Sequence, residues 1–330
     1  MDISKLDEFT GVRVVLATST TKPSLLASFA NDESVDVRAC VASNQATPVA
    51  VLEQMSKDGA WNVRDRVAQN PNTPVEVLIS LAGDEEDIVR MAIAASPHIP
   101  SSKLVELASD NSKAVQCSAA QNPNCPTDQL ELLAKDTLWS IRQHVARNLN
   151  VPVSLLTRLA NDRDTDVRCE IAANPSTPIE LLVALTEDDN GAVRGSVARH
   201  YPRYDGCFIS MTVDEDYYVR LCAAENKVCP VEMLVKLLND PEDEVRISAD
   251  EALGTKSAED FKKAVSEGLS LSTSFNSGSP DKTLGEALVD AGLSNVYQSI
   301  QAAELAIKIN GINGDINQVG AQVLNRKLRM

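Results

Sequence analysis

An arginine returns along this chain at a fixed step. It stands at Arg13, Arg38, Arg64, Arg90, Arg142, Arg168, Arg194, Arg220 and Arg246, with Gln116 filling the one gap; after a first interval of 25 residues every step is 26. A leucine column (Leu26, Leu52, Leu78, Leu104, Leu130, Leu156, Leu182, then Phe208 and Leu234) keeps the same step, as does an aspartate column from Asp32 to Asp240. Prolines from Pro48 to Pro178 form a fourth, which resumes at Pro230. Columns in phase over about ten units, from about Gly11 to about Val265, mean that each unit is one small motif stacked on its neighbours rather than part of a single large core.

The unit beginning at Asp84 shows how the motif is built. Asp84 is read as the N-cap of a first helix, with Glu85, Glu86 and Asp87 placed at its positive end. Val89, Ala92 and Ile93 fall on one face at helical spacing, and Ala94 lets a neighbour approach closely. The helix should stop at Ser96, a position held in most units by Asn (44, 70, 122, 148, 174, 226), which tolerates a left-handed turn. In three units Thr-Pro (Thr47, Thr73, Thr177) then starts a second helix, Thr as N-cap and Pro in the first turn, where no amide hydrogen is needed. Leucines spaced like Leu78 and Leu81 bury it. The fold expected is all-α: an α-solenoid of about ten 26-residue two-helix repeats.

Within a unit the aspartate precedes the arginine by six residues, as in Asp84/Arg90, Asp136/Arg142, Asp162/Arg168 and Asp188/Arg194. Two readings compete. The arginines could form a row for anions, or each could be neutralised by the aspartate of a stacked neighbour. The second is favoured, since arrays need register devices and the chain carries 47 acidic against 31 basic residues, a formal charge of −16.

The pattern Val-Arg-x-x-Val-Ala-x-Asn-Pro-x-Thr-Pro-x-x-x-Leu-x-x-Leu-Ala, running from Val63 to Ala82 and in variant form from Val167 to Leu185, resembles the leucine-rich repeat variant family; the Asp–Arg spacing is also similar to that of HEAT repeats. The resemblance covers about 250 of the 330 residues. It implies a right-handed superhelix of alternating α-helices and 3₁₀ or short α-helices. Some members carry an iron–sulfur cysteine cluster ahead of the repeats; here the first cysteine, Cys40, already lies inside the array, so no such cluster is expected. The family constrains architecture more than function.

Charge and composition narrow the function. All but one unit of the net negative charge belongs to residues 1–256, which disfavours phosphate backbones. No apolar run approaches a membrane span, and Met1 to Phe9 lacks the features of a signal peptide, so a cytoplasmic setting is expected. The seven cysteines include no CxxC pair and only three histidines accompany them, so neither a metal site nor another cofactor is expected. Phosphate loops, dinucleotide fingerprints and hydrolase motifs are missing too, and no enzyme activity is expected.

Binding sites on a solenoid sit where units depart from the rule. The position three residues before the arginine is small or polar in most units but holds Trp61, Trp139 and Tyr217, three repeats apart, including both tryptophans of the chain. These are candidate anchors for an extended partner or, alternatively, local packing over helix ends. The unit from Arg194 to Tyr218 loses the Thr-Pro start and gathers four of the five tyrosines. There Tyr201, Arg203, Tyr204, Tyr217 and Tyr218 read as a partner-binding cluster, against a repacked unit and a remote catalytic reading through His200 and Cys207. Acids at the Asp-led turns should form a ridge, suited to a basic protein or merely solvated. The function expected is a protein-interaction scaffold with an acidic surface; the alternative is a nucleic-acid-associated role, through exposed arginines or acidic mimicry of DNA.

The expected organisation is an N-terminal cap over 1–10, the array over 11–267, a Ser/Gly-rich linker over 268–282 and a helical tail over 283–330. In the tail, Val296, Ile300, Ala303 and Ile307 should share one face of a helix ending near Ile309, with Gly311, Gly314 and Gly320 interrupting the pattern beyond it.

Overall fold

A computed structural model describes residues 10–202, 207–275 and 282–327, with side chains as far as residue 310. The chain divides into two compact units, Met1–Pro178 and Ile179–Met330. The first alternates long and short helices: α1 (Thr10–Ser19), α2 (Pro23–Phe29), α3 (Val35–Ser43), α4 (Val49–Met55), α5 (Trp61–Gln69), α6 (Val75–Leu81), α7 (Asp87–Ala95), α8 (Ser101–Leu107), α9 (Lys113–Gln121), α10 (Thr127–Leu133), α11 (Trp139–Arg147), α12 (Val153–Leu159) and α13 (Thr165–Ala173). Each long helix packs on the next long one, α1 on α3 through to α11 on α13, and each short helix packs on the long helix that follows it. The result is an all-helical solenoid.

The core of a repeat is thin. Five of the long helices, α3, α5, α7, α11 and α13, bury a β-branched residue, a second four later and an alanine beside it, such as Val63, Val67 and Ala68, or Val89, Ile93 and Ala94. Ala94, not Ala92, completes the buried trio, because close packing of adjacent long helices selects the smallest side chain at that point. The leucine column supplies the short helix, from Leu26 to Leu156 at 0–1 % exposure.

Polar columns hold the layers in register. Arg64 donates from Nε and Nη2 to both carboxylate oxygens of Asp84 in the next repeat, at 2.7 and 2.8 Å, and from Nη1 to the backbone carbonyl of Asp58 in its own repeat, at 2.8 Å. Arg38–Asp58, Arg90–Asp110 and Arg142–Asp162 repeat the bidentate contact; Arg13–Asp32, one residue closer in sequence, keeps it as well. The guanidinium fork thus spans two repeats; an Asp such as Asp58 gives its carboxylate to the Arg of the preceding repeat and its backbone carbonyl to the Arg six residues on. That carboxylate does not N-cap the helix. Asp84 Oδ1 accepts the amide of Glu86 in a turn, and α7 begins only at Asp87.

A second ladder runs on asparagine. Asn148 Nδ2 donates to the carbonyls of Ala120 and Asn122 in the preceding repeat, both at 2.7 Å, while its Oδ1 accepts the amide of Asn150. Asn70, Asn122 and Asn174 do the same. No described non-glycine residue has positive φ, and these asparagines are extended, with Asn148 at φ −66 and ψ 128. The column is therefore selected for a carbonyl-bridging amide and not for left-handed backbone. Thr-Pro is likewise reassigned: Pro48 and Pro74 occupy the N-cap, and the Thr47 and Thr73 hydroxyls donate back to the carbonyls of Val41 and Val67, at 2.6 and 2.5 Å.

The second unit comprises α14 (Ile179–Leu185), α15 (Gly191–His200), α16 (Cys207–Met211), α17 (Tyr217–Glu225), α18 (Val231–Leu237), α19 (Asp243–Gly254), α20 (Ala258–Ser266), α21 (Leu284–Asp290) and α22 (Ser294–Lys327). Arg194–Asp214 and Arg220–Asp240 continue the arginine pattern, and Asn226 bridges to Ala198 and Tyr201. A Ser257/Asp260 capping box starts α20, which buries Phe261 and Ala264. Beyond it the described part of the expected linker is tied down: Ser274 bridges Thr283, and Glu304 accepts from Ser270 Oγ and the Leu271 amide at 2.8 and 2.9 Å. Helix α22 packs on α19, α20 and α21 through Val296, Ile300 and Ala303, while Ile307 is exposed. It does not end near Ile309. It continues for 34 residues through Gly311, Gly314 and Gly320, each about 1 kcal/mol less favourable than Ala in a helix interior.

The ladder can be tested at its one gap and by its response to acid. Gln116 reaches the carbonyl of Asp110 at 2.6 Å but leaves Asp136 to Lys113, whose Nζ lies 3.3 Å from it. Gln116→Arg restores the missing fork and should stabilise the chain by about 1 kcal/mol, read as a rise in the thermal midpoint. Burial works against the charges of Asp84, Asp162 and Asp214, but bonds from their arginines and from the amides two residues on outweigh it and hold these carboxyls below the usual range. A carboxyl with a depressed folded value stabilises above its unfolded value and loses that contribution as pH falls. The thermal midpoint should therefore stay level from about pH 7 to 5 and drop below about pH 4, followed by circular dichroism.

Candidate interaction surface

The aromatic departures occupy the first position of a long helix. Trp61 opens α5, Trp139 opens α11 and Tyr217 opens α17, at 44 %, 44 % and 46 % exposure. Each follows the turn made by a ladder aspartate: Asp58 is engaged by Arg38 and Asp214 by Arg194, while Asp136, at the gap in the ladder, meets Lys113. Beside Tyr217 a groove is bordered by Val213, Glu215, Lys236, Pro241 and Glu242. In three repeats the residue following the ladder aspartate is an outward-facing glutamate: Glu33 and Glu85 are 81 % exposed and Glu215 92 %, each no nearer than 3.4 Å to an arginine.

The tyrosine-rich unit separates into residues with different surroundings. Tyr201 is 1 % exposed, which removes it from the set of surface contacts. Helix α15 runs one residue longer than the standard long helix, so Tyr201 becomes its C-cap; its ring meets Phe208 edge-on at 5.9 Å and its hydroxyl donates to Cys207 Sγ at 3.1 Å. Arg203 and Tyr204 lie outside the described residues. Tyr218 is partly exposed, but its ring is wedged over Gly195: a Cβ there would stand 2.7 Å from two ring carbons. Arg199 lies over the same ring, 5.8 Å from its centroid, and is paired with Glu225 at 2.7 Å.

The histidines and thiols are engaged in structure. The Nδ1 of His200 lies 2.9 Å from the Ser196 carbonyl, and His144 makes the same contact with Ser140 at 2.7 Å. Burial pushes the thiols of Cys117 and Cys222 up, that of Cys125 up to about 11 and that of Cys229 up to about 12, so these four stay protonated and poorly nucleophilic near neutrality. Among the described residues no cluster of three or more His, Cys, Asp or Glu could hold a metal ion, and no helix is long and apolar enough to cross a membrane.

Sequence patterns alone did not reveal the asparagine ladder or the Gly195–Tyr218 wedge. The wedge had a signal: Gly195 falls one residue after the arginine, where other repeats carry larger side chains, and the tyrosine that needs the space sits in the following repeat. Gly195→Ala should destabilise the chain by about 1–3 kcal/mol. Combined with Tyr218→Ala, it should cost clearly less than the sum of the two single changes, a coupling read from a double-mutant cycle of denaturant midpoints.

No family model matches the chain, and no curated protein matches it. Among solved structures it is similar to a leucine-rich repeat variant described as having a novel repetitive structural motif, with 28 % identity over 67 % of this chain and 88 % of that one and a TM-score of 0.46. It is also similar to an engineered protein (20 % identity, 90 % and 98 % covered, TM-score 0.37) and to computationally designed armadillo repeat proteins for modular peptide recognition (14 %, 86 % and 99 %, 0.17). The chain resembles a leucine-rich repeat variant in the columns of its own sequence, and its described residues form an all-helical solenoid.

Proposed function

We propose that the chain is a non-enzymatic scaffold that binds another protein through a basic, extended segment, in a cytoplasmic setting. The observation that supports this reading is the recurrence of half-exposed aromatics at the helix starts of Trp61, Trp139 and Tyr217, each following the turn of a ladder aspartate. An exposed indole or phenol suits the stem of a lysine or arginine side chain, and at Tyr217 the exposed Glu215 can meet the charge. The regular spacing suits a partner with repeated basic contacts, and Arg203 and Tyr204 extend the candidate surface on sequence grounds. Cysteines without disulfides among the described residues fit a reducing compartment. The described ladder arginines bridge aspartates, which gives the nucleic-acid alternative no support through that column.

Trp61 and Trp139 are the only tryptophans, so intrinsic fluorescence reports on two of the three anchors. Titration with lysine- and arginine-rich peptides should shift or quench that emission, while neutral peptides of equal length should not. Trp61→Ala, Trp139→Ala and Tyr217→Ala together should weaken capture of a basic peptide by at least about 30-fold with unchanged helical content. Equal capture by the triple variant, or capture of nucleic acid in preference to peptide, would reject the reading.

A further inference from the structure

The sequence of helix α22 carries two apolar seams, and one of them is buried on α19–α21. Val296, Ile300 and Ala303, spaced four and three, are buried against α19–α21 at 4 %, 0 % and 3 % exposure. The second seam starts two residues later. Leu305 and Ile309 are 53 % and 56 % exposed. In sequence the same alternation of four and three continues through Ile312, Ile316, Val319 and Val323, all within the backbone span of Ser294–Lys327; Ala302, also exposed, extends it one step toward the array. Seven positions over three heptads, Leu, Ile and Val at all but the first, are the spacing that keeps a strip of a helix facing a partner helix along its whole length. A strip meant only for a curved solenoid surface would have no need of this period.

We propose that α22 joins this chain to a second copy of itself, the 302–323 seam of one helix packing on the same seam of the other as a short coiled coil. Three observations select this occupant. Leu305 and Ile309, where the seam begins, lie apart from the strip buried on α19–α21, so the helix can be held by its own unit and by a partner at once. The charge is suited to self-association: residues 1–256 carry nearly all of the −16, whereas within 305–323 Lys308 and Asp315 are the only charged residues and cancel, so like helices meet without repulsion. Three glycines lie in the second half of α22, and a helix of that composition depends on packing for its stability. From residue 305 to 323 the seam extends for about 28 Å of helix, long enough for an interface of interdigitated side chains rather than a single contact.

Sedimentation equilibrium or light scattering on the full chain tests this. Wild type should run at twice the 35.6 kDa chain mass or a higher multiple. Ile309→Asp with Ile316→Asp places charges in the seam and should return the chain to single mass, at least a twofold drop, with an unchanged thermal transition of the array. Leu305→Ala with Ile309→Ala, a milder change, should shift the association constant in the same direction. A wild-type chain that stays at single mass at tens of micromolar overturns the proposal, as it would if the seam lay on its own array. Oligomers that survive both variants also overturn it, because the contact would then lie elsewhere. Loss of peptide capture in the Trp61/Trp139/Tyr217 variant is read separately and leaves this result unaffected.

Discussion

The structure depends on one guanidinium used three ways. A planar fork offers two parallel donors to the carboxylate of the next repeat and a third to the backbone of its own, so one side chain fixes both the spacing between layers and the geometry of the turn that begins each long helix. Removing water from such a pair is costly, and a buried ion pair of this sort often adds little net stability over an apolar replacement. Its value here is register. The apolar contacts between layers are small and nearly identical from repeat to repeat, so packing alone would tolerate sliding. A charged pair that must meet at one position does not, because losing one partner strands the other in a buried setting.

Asparagine does for the backbone what arginine does for the layers. The end of each long helix leaves carbonyls without partners, and stacking would bury them. An amide nitrogen with two donors reaches two carbonyls of the preceding repeat at once, and its oxygen closes the next turn. Serine at position 96 cannot supply those donors, and its hydroxyl accepts only the amide of His98 at 3.3 Å. The array tolerates the lapse at position 96 because the layers on both sides are held by Asn70 and Asn122.

The repeat was legible because its signal is periodic. The columns of Leu, Arg and Asp each reported the unit length, and the buried pairs matched the spacing read from Val89 and Ile93. The side-chain roles were less legible. Asp84, Thr47 and Asn148 are residue types that cap helices and shape turns in isolation, and local rules assign them local partners. Their real partners lie one turn further on or a whole repeat away, at separations that no local rule specifies. Tyr201 shows the same limit from the other side. A tyrosine among arginines reads as surface, yet a helix one residue longer than its neighbours turns it into the core. The tail differed for a related reason, since Gly311, Gly314 and Gly320 weaken a helix locally but do not end it.

The ladder also has a direction. Each arginine reaches forward to the aspartate of the following layer, so adding a layer at the C-terminal end requires a carboxylate twenty residues beyond the last arginine. That place, after Arg246, is Ser266, and Arg246 turns instead onto Asp243 in its own helix. The stack therefore behaves like a polymer whose growing end has been quenched: its last reactive group is consumed internally, and the next helix closes the apolar face with Phe261. Self-similar arrays risk running on into filaments when one molecule's end matches another's beginning. A single serine in the aspartate column, with one arginine folded back, makes the terminus of this one a poor template for the start of the next.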